Sequence, residues 1–209
     1  DYLDLFFCHR PDPHTPLEET VRTMNELIAR GKILYWGTSQ FSATDLIEMH
    51  GIANRLGLIG PLMDQSRYSL FHRDRLEREL LPLFDRHGMG ITVWSPLEFG
   101  LLTGKYNNGI PEKSRGARDP KWMDRVPASN QLEITRNLSA VAEEMGIKMG
   151  SLALAWTVKN PNVSTTILGA TTPAQMEENL EALDSIDKLT PEVMERIDGI
   201  LTSEEFEGR

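Results

Sequence analysis

The residues best suited to chemistry lie in the stretch 90–106, GITVWSPLEFGLLTGKY. Ile91 to Trp94 is a β-branched, mostly apolar run after Gly88 and Gly90, which predicts a short strand buried on both faces. Ser95-Pro96 ends it, because proline has no N–H to give to a ladder. Gly100, Gly104 and Lys105 follow and lead into a long polar loop. A strand that delivers a tryptophan, a serine and a glycine–lysine loop to one end of a sheet suits the mouth of a ligand site. A core tryptophan followed by a plain connection would use the same residues. Residues 100–129 also hold Lys105, Lys113, Arg115, Arg118, Lys121 and Arg125 against Glu112, Asp119 and Asp124. That local excess of positive charge sits in a chain of net charge −9. It fits an anionic ligand, or a solvated basic loop.

The acidic balance argues against nucleic-acid binding, which needs a basic footprint. With 209 residues, 40% hydrophobic and 25% charged, the chain falls in the soluble globular class and can bury a sizeable core. No apolar run approaches the ~20 residues of a membrane span, and no signal peptide is visible, so no membrane insertion is expected. Cys8 is the single cysteine and cannot form an intrachain disulfide, which fits a reducing, cytoplasmic compartment. No residue is assigned to a metal. The chain opens without methionine, inside what reads as a strand.

The elements that must position these residues follow in order. Leu3–His9 (LDLFFCH) is an apolar strand ending in the rigid turn His9-Arg10-Pro11-Asp12-Pro13. Thr15-Pro16-Leu17-Glu18 reads as a capping box, and Gly31 ends the helix it opens. Ile33–Ser39 is the next strand; Ser42 caps a helix to about Leu56, stopped by Gly57. Leu62–Tyr68, more polar, is a third strand, and the helix after it is bent or restarted at Pro82. Helical segments near 130–145 and 150–159 are capped by Asn130-Gln131-Leu132-Glu133 and closed by Asn160-Pro161. Val163–Gly169 is the last strand, followed by a capping box at Thr172-Pro173-Ala174-Gln175 and a helix to about Leu183. A polar helix from Thr190-Pro191 to about Leu201 completes the chain.

The first four strands start near residues 3, 33, 62 and 90, at intervals of 30, 29 and 28. One strand, one helix and one return per interval predicts neighbouring parallel strands with right-handed crossovers. Two architectures remain: an open doubly wound sheet, or part of an eight-stranded barrel. No GxGxxG follows any strand, which removes the usual dinucleotide fingerprint of the open sheet. The expectation is an α/β chain, a (β/α)8 TIM barrel whose first three β/α units are absent from this sequence.

Five stretches then carry a resemblance: LDLFFCHRPDP (3–13), ILYWGTSQF (33–41), MDQSRY (63–68), VWSPLEFGLLTGKY (93–106) and ILGATTPAQMEENL (167–180). Together, in this order, they resemble the C-terminal two-thirds of an aldo-keto reductase, in the branch that contains the potassium-channel β subunits. The resemblance implies NADP(H) bound at the C-terminal ends of the barrel strands and reduction of a small-molecule aldehyde or ketone. The five strands would be strands 4 to 8 of the barrel, and the chain a single domain. His9 matches the active-site histidine, whose N–H can bond a carbonyl oxygen. Ser39 and Gln65 match residues that hold the nicotinamide carboxamide. Trp94 matches the aromatic that stacks on the nicotinamide, and Ser95, Pro96 and Leu97 the wall under the pyrophosphate. Lys105 and Arg115 match residues reaching the phosphates. Gly169 and Thr171, with Gln175, Glu178 and Asn179 at i, i+3 and i+4, match the adenosine site.

Three positions depart from the channel β pattern. Gln40 stands where arginine is frequent there, Lys113 where an aromatic is frequent, and His9 where asparagine occurs. His9 moves the reading toward the catalytic reductases. The family's aspartate, tyrosine and lysine would come from the absent strands; Tyr2, Tyr35, Tyr68 and Tyr106 do not sit in that tyrosine's motif. The chain alone is therefore expected to be inactive, with unpaired strands at both sheet edges and a tendency to associate through them. The alternative implied by the resemblance is a non-catalytic NADP-binding regulatory subunit, and homo-oligomers occur in this branch.

Overall fold

The computed structural model describes residues 1–119, 121 and 130–202. Five strands form one sheet in the order β1 (Leu3–Cys8), β2 (Ile33–Thr38), β3 (Met63–Arg67), β4 (Gly90–Trp94) and β5 (Val163–Thr166). β1 to β4 pair in parallel, with Leu3 beside Ile33, Thr38 beside Asp64, and Arg67 beside Trp94. Sequential parallel neighbours are what the even strand spacing predicted, since a helix between strands returns the chain to the same end. β1 and β5 stand at the two edges of this sheet. Tyr2, Leu3, Leu5 and Tyr35 are exposed along β1 and β2.

The chain divides into two compact units. The first comprises Asp1–Tyr68, Arg73–Trp94 and Pro161–Thr165, and so holds β1 to β4. Its helices are α1 (Leu17–Ala29), α2 (Ala43–Leu56) and α3 (Leu81–His87). α1 packs on α2 and β2, and α2 on α3, burying Val21, Trp36, Leu46, Met49 and Leu83. Ser42 caps α2 in a reciprocal box with Asp45, and Gly57 ends it at φ +64. Gly37 is required by packing, because a Cβ there would collide with the Met63 carbonyl.

The second unit comprises Ser69–His72, Ser95–Asn160 and residues from Thr166 on. It contains α4 (Arg115–Arg118), α5 (Gln131–Glu144), α6 (Met149–Lys159), α7 (Pro173–Leu180) and α8 (Pro191–Leu201). α6 is its centre: Met149 to Thr157 are all buried, as in a helix apolar on every side. Around it pack α5, α7 and the 3-10 segments Glu98–Thr103 and Leu183–Lys188.

Several local expectations are corrected. β4 is not buried on both faces: Ile91 and Val93 are buried, while Gly90, Thr92 and Trp94 alternate with them half-buried. One face is covered by packing and the other only in part. Thr15 does not cap α1; its hydroxyl donates to Asp12, and Pro16 occupies the cap position. The Asp12 carboxylate also accepts from His14 N–H, so this earlier turn captures the threonine first. Asn130 does not cap α5, because at φ +54 its side chain makes no cap bond. Gln175 reaches back to Thr171 rather than Thr172, although Thr172 does accept from Gln175 N–H. β5 ends at Thr166 and α7 at Leu180, both short of the expected bounds. The helix after β3 begins as a π-turn, Arg75–Glu79, and restarts as α3 with Pro82 in its first turn, as the sequence indicated.

Candidate functional site

In the first unit the strands end in a row of polar side chains. His9 directly follows β1 and is exposed. The next residue, Arg10, donates from its guanidinium to Ser39 Oγ at 2.9 Å. Ser39 follows β2, is 1% exposed, and donates its hydroxyl to the Gln65 carbonyl at 2.9 Å. With its proton committed, Ser39 can still accept one bond but not donate another.

Gln65 in β3 is registered with Thr92 in β4, and Arg67 with Trp94. Registered residues, and residues two apart, share a face of the sheet. Gln65, Arg67, Thr92 and Trp94 therefore lie on one face, with the Arg67 guanidinium 5.6 Å from the Trp94 ring centroid. On that face Thr92 Oγ1 and Trp94 Nε1 are buried without a hydrogen-bond partner among the described residues. Among the described residues the Gln65 amide makes no hydrogen bond either. Unpaired buried polar atoms cost ~1–3 kcal/mol each, so this face suits a planar ligand carrying both donor and acceptor. A carboxamide on an aromatic ring fits the donor set: Gln65 can donate and accept, Ser39 can accept, and Trp94 offers a flat surface.

In the second unit the residues singled out from sequence form a strained, basic turn. Ser95 has φ +54, and Glu98, Phe99 and Gly100 follow at +46, +56 and +94. Pro96 is buried and Leu97 half-buried. Glu98 is 4% exposed; its carboxylate accepts from Ser69 Oγ at 2.7 Å and lies 3.4 Å from His72 Nδ1. These contacts hold a backbone conformation that non-glycine residues seldom adopt. The Lys105 ammonium lies across Gly100 and 5.1 Å from the Tyr106 ring. The Arg115 guanidinium sits 4.2 Å over Phe99. The buried Tyr106 hydroxyl accepts from Gly116 N–H at 3.0 Å and so pins α4, which carries Arg115. Two cations thus converge on the Phe99–Gly100 turn, both with exposed side chains. Lys113 is exposed, and its carbonyl accepts from Arg118. Arg125 and Asp124 of the basic loop lie outside the described residues.

The segment at α7 is less open than the spacing implied. Gly169 is exposed, and a Cβ there would meet no atom within 4 Å, so the chain's own packing does not demand glycine. Gln175 Oε1 is occupied by Thr171, whose N–H and hydroxyl both donate to it. Glu178 pairs with Lys148 at 3.3 Å, and that ion pair raises the lysine's affinity for its proton. Glu178 and Asn179 are half-buried while Gln175 is exposed. The expected single face is therefore partly engaged already.

Sequence reasoning missed Thr92, Asp64 and Arg75. The signal available for Asp64 was the polarity of MDQSRY itself, a carboxylate inside a strand that is then buried completely. Cys8, half-buried at the end of β1, is held above the usual thiol range by burial. Among the described residues no group of three or more His, Cys, Asp or Glu could hold a metal ion, and no helix is long and apolar enough to cross a membrane.

The family model described as "Aldo/keto reductase family" matches residues 1–202. A "Putative voltage-gated potassium channel subunit beta" of Schizosaccharomyces pombe is 49% identical over 204 residues, covering 96% of this chain and 59% of the relative. Proteins named "Probable voltage-gated potassium channel subunit beta" in Arabidopsis thaliana and Oryza sativa subsp. japonica are 46% and 47% identical, each covering 97% of this chain and 63% of the relative. The chain spans about three-fifths of the length of these relatives.

Proposed function

The chain belongs to the aldo/keto reductase family, and from that premise we propose that the protein it forms part of reduces aldehydes and ketones to alcohols with NADP(H) on a (β/α)8 barrel. The five-stranded sheet would be five consecutive strands of that barrel. The observation carrying the reading is the row Ser39, Gln65, Thr92 and Trp94 from the end of β2 across β3 and β4, with Thr92 and Trp94 polar atoms unpaired among the described residues beside a flat indole. When bound, NADP(H) supplies the hydride; the chain's own residues bind, orient and polarise. His9 donates its ring N–H to the substrate carbonyl oxygen and stabilises the negative charge that develops there. Ser39 accepts from the carboxamide and Gln65 completes its bonds, which selects the ring face turned to the substrate. Trp94 supports the ring by stacking.

Lys105 and Arg115 neutralise the phosphates, and Ser95, Pro96 and Leu97 wall the pyrophosphate. Gly169, Thr171, Gln175, Glu178 and Asn179 take the adenosine end. That last assignment requires Gln175 to leave Thr171 and Glu178 to share or release Lys148. The protein is proposed to work in the cytoplasm, without membrane insertion or nucleic acid, as a homo-oligomer. Steady-state turnover of NADPH with short aldehydes by the full-length protein tests the reading. Binding of NADPH without turnover of any carbonyl compound would overturn it.

A second reading is favoured by the names of the three relatives: a regulatory subunit that uses the nucleotide site to modulate a potassium channel. In that case the full-length protein binds NADPH, turns over no carbonyl, and co-purifies with a channel.

A further inference from the structure

The carboxylate of Asp64 is fully buried in the first unit, and a buried charge is retained only when paired and hydrogen-bonded. Four donors converge on it. Thr38 Oγ1 donates to Oδ1 at 2.7 Å; Gln40 N–H at 3.4 Å, Ser66 Oγ and the Arg75 guanidinium at 3.1 Å reach Oδ2. Arg75 also donates to Ser66 Oγ at 3.2 Å and to the Phe41 carbonyl. The network is built on the face of β3 opposite Gln65, because Asp64 and Ser66 alternate with it along the strand.

Every bond to the Asp64 carboxylate bears on a neighbour of Ser39 or Gln65. Thr38 and Gln40 flank Ser39, and Asp64 and Ser66 flank Gln65. Gln40 has φ +61, a conformation costly for a residue with a side chain, and its N–H points to Asp64. The registered pairing of β2 with β3 consists of Thr38 and Asp64, the same two residues whose side chains bond. The backbone ladder alone is thus narrow where the two carboxamide residues must be spaced.

We propose that Asp64, held by Arg75, is a positioning residue for the nicotinamide carboxamide: from behind the sheet it sets the turn that carries Ser39 and the spacing of Ser39 from Gln65. The proposal rests on the assignment of those two residues made above. Asp64 touches neither cofactor nor substrate. Its effect is confined to the part of the ligand that Ser39 and Gln65 would hold.

The test uses the full-length protein and two ligands: NADPH, and its reduced 3-acetylpyridine analogue, which keeps the ring carbonyl but lacks the amide donors. Dissociation constants come from tryptophan fluorescence or titration calorimetry. Wild type is expected to prefer NADPH by about tenfold, the discrimination one well-placed hydrogen bond supplies. Asp64→Asn is expected to reduce the preference to about threefold or less. Thr38→Val, which keeps the shape and removes one bond to the carboxylate, should lower it by a smaller factor and serves where Asp64→Asn does not fold. A preference that stays at the wild-type value in the folded variants overturns the proposal. Equal weakening of both ligands, with the preference intact, overturns it too, since a merely structural role has that signature. A wild-type preference near one overturns the carboxamide assignment itself, and the proposal falls with it.

Discussion

The strand ends of the first unit and the basic turn of the second hold their candidate residues by opposite means. Ser39 and Gln65 sit on a backbone tied from beneath by a buried carboxylate, and Ser39 itself is 1% exposed. Lys105 and Arg115 are exposed, held by aromatic faces, and stand over a turn whose backbone is strained. Buried hydrogen bonds act in a low local dielectric and fix direction, which suits recognition of a ring and a carbonyl oxygen. Exposed cations act through a screened field with little directional demand, which suits phosphate. Precision and charge are thus supplied by different physical devices.

This contrast can be broken at four points. His9→Asn in the full-length protein is expected to lower kcat for aldehydes by about 10²-fold or more, with NADPH affinity nearly unchanged. Wild-type kcat in that variant would remove the chemistry from the strand ends.

The next effect concerns buried polar groups in the same unit. His50 of α2 stacks on His87 of α3, with centroids 3.8 Å apart, and burial and the neighbouring imidazole pull its pKa from 6.5 to about 4. The unfolded chain takes up this proton near pH 6.5 and the folded chain only near 4. The stabilisation is therefore complete above pH 6.5 and is lost as pH falls toward 4, by at most about 3 kcal/mol. His50→Phe, which keeps the stack without the titration, should flatten part of the melting-temperature slope across that window. An identical slope in wild type and variant would show that His50 is not the group responsible.

Trp94→Ala should weaken NADPH binding by about 1–3 kcal/mol, the loss of aromatic contact area. Unchanged affinity would refute stacking on the indole. The smallest change is expected in the basic turn. Lys105→Ala and Arg115→Ala should each weaken NADPH by roughly 1 kcal/mol or less at low ionic strength, and by less still at high salt. A large, salt-independent loss would mean that these cations are as directionally held as Ser39, and the contrast between the two regions would fail.

What could be read in the sequence was whatever depends on neighbours along the chain. Regular strand spacing predicted the parallel order of β1 to β4, and Ser42, Gly57 and Pro82 marked their helix boundaries, because capping, left-handed stops and missing N–H groups are local effects. The five quoted stretches carried the family for the same reason: they are contiguous and keep their residues in order. The cap at Thr15 misled because a competing local bond to Asp12 won, and the cap at Asn130 because its left-handed backbone, at φ +54, leaves its side chain without a cap bond. Tertiary structure alone decided that Asp64 is buried and that Thr38, Gln40, Ser66 and Arg75 all reach it. It alone left Thr92 and Trp94 with polar atoms unpaired among the described residues on the Gln65 face, and engaged Glu178 with Lys148. A pairing between residues 26 positions apart, such as Thr38 with Asp64, is made by strand register and packing, and nothing in the local sequence of either partner specifies it.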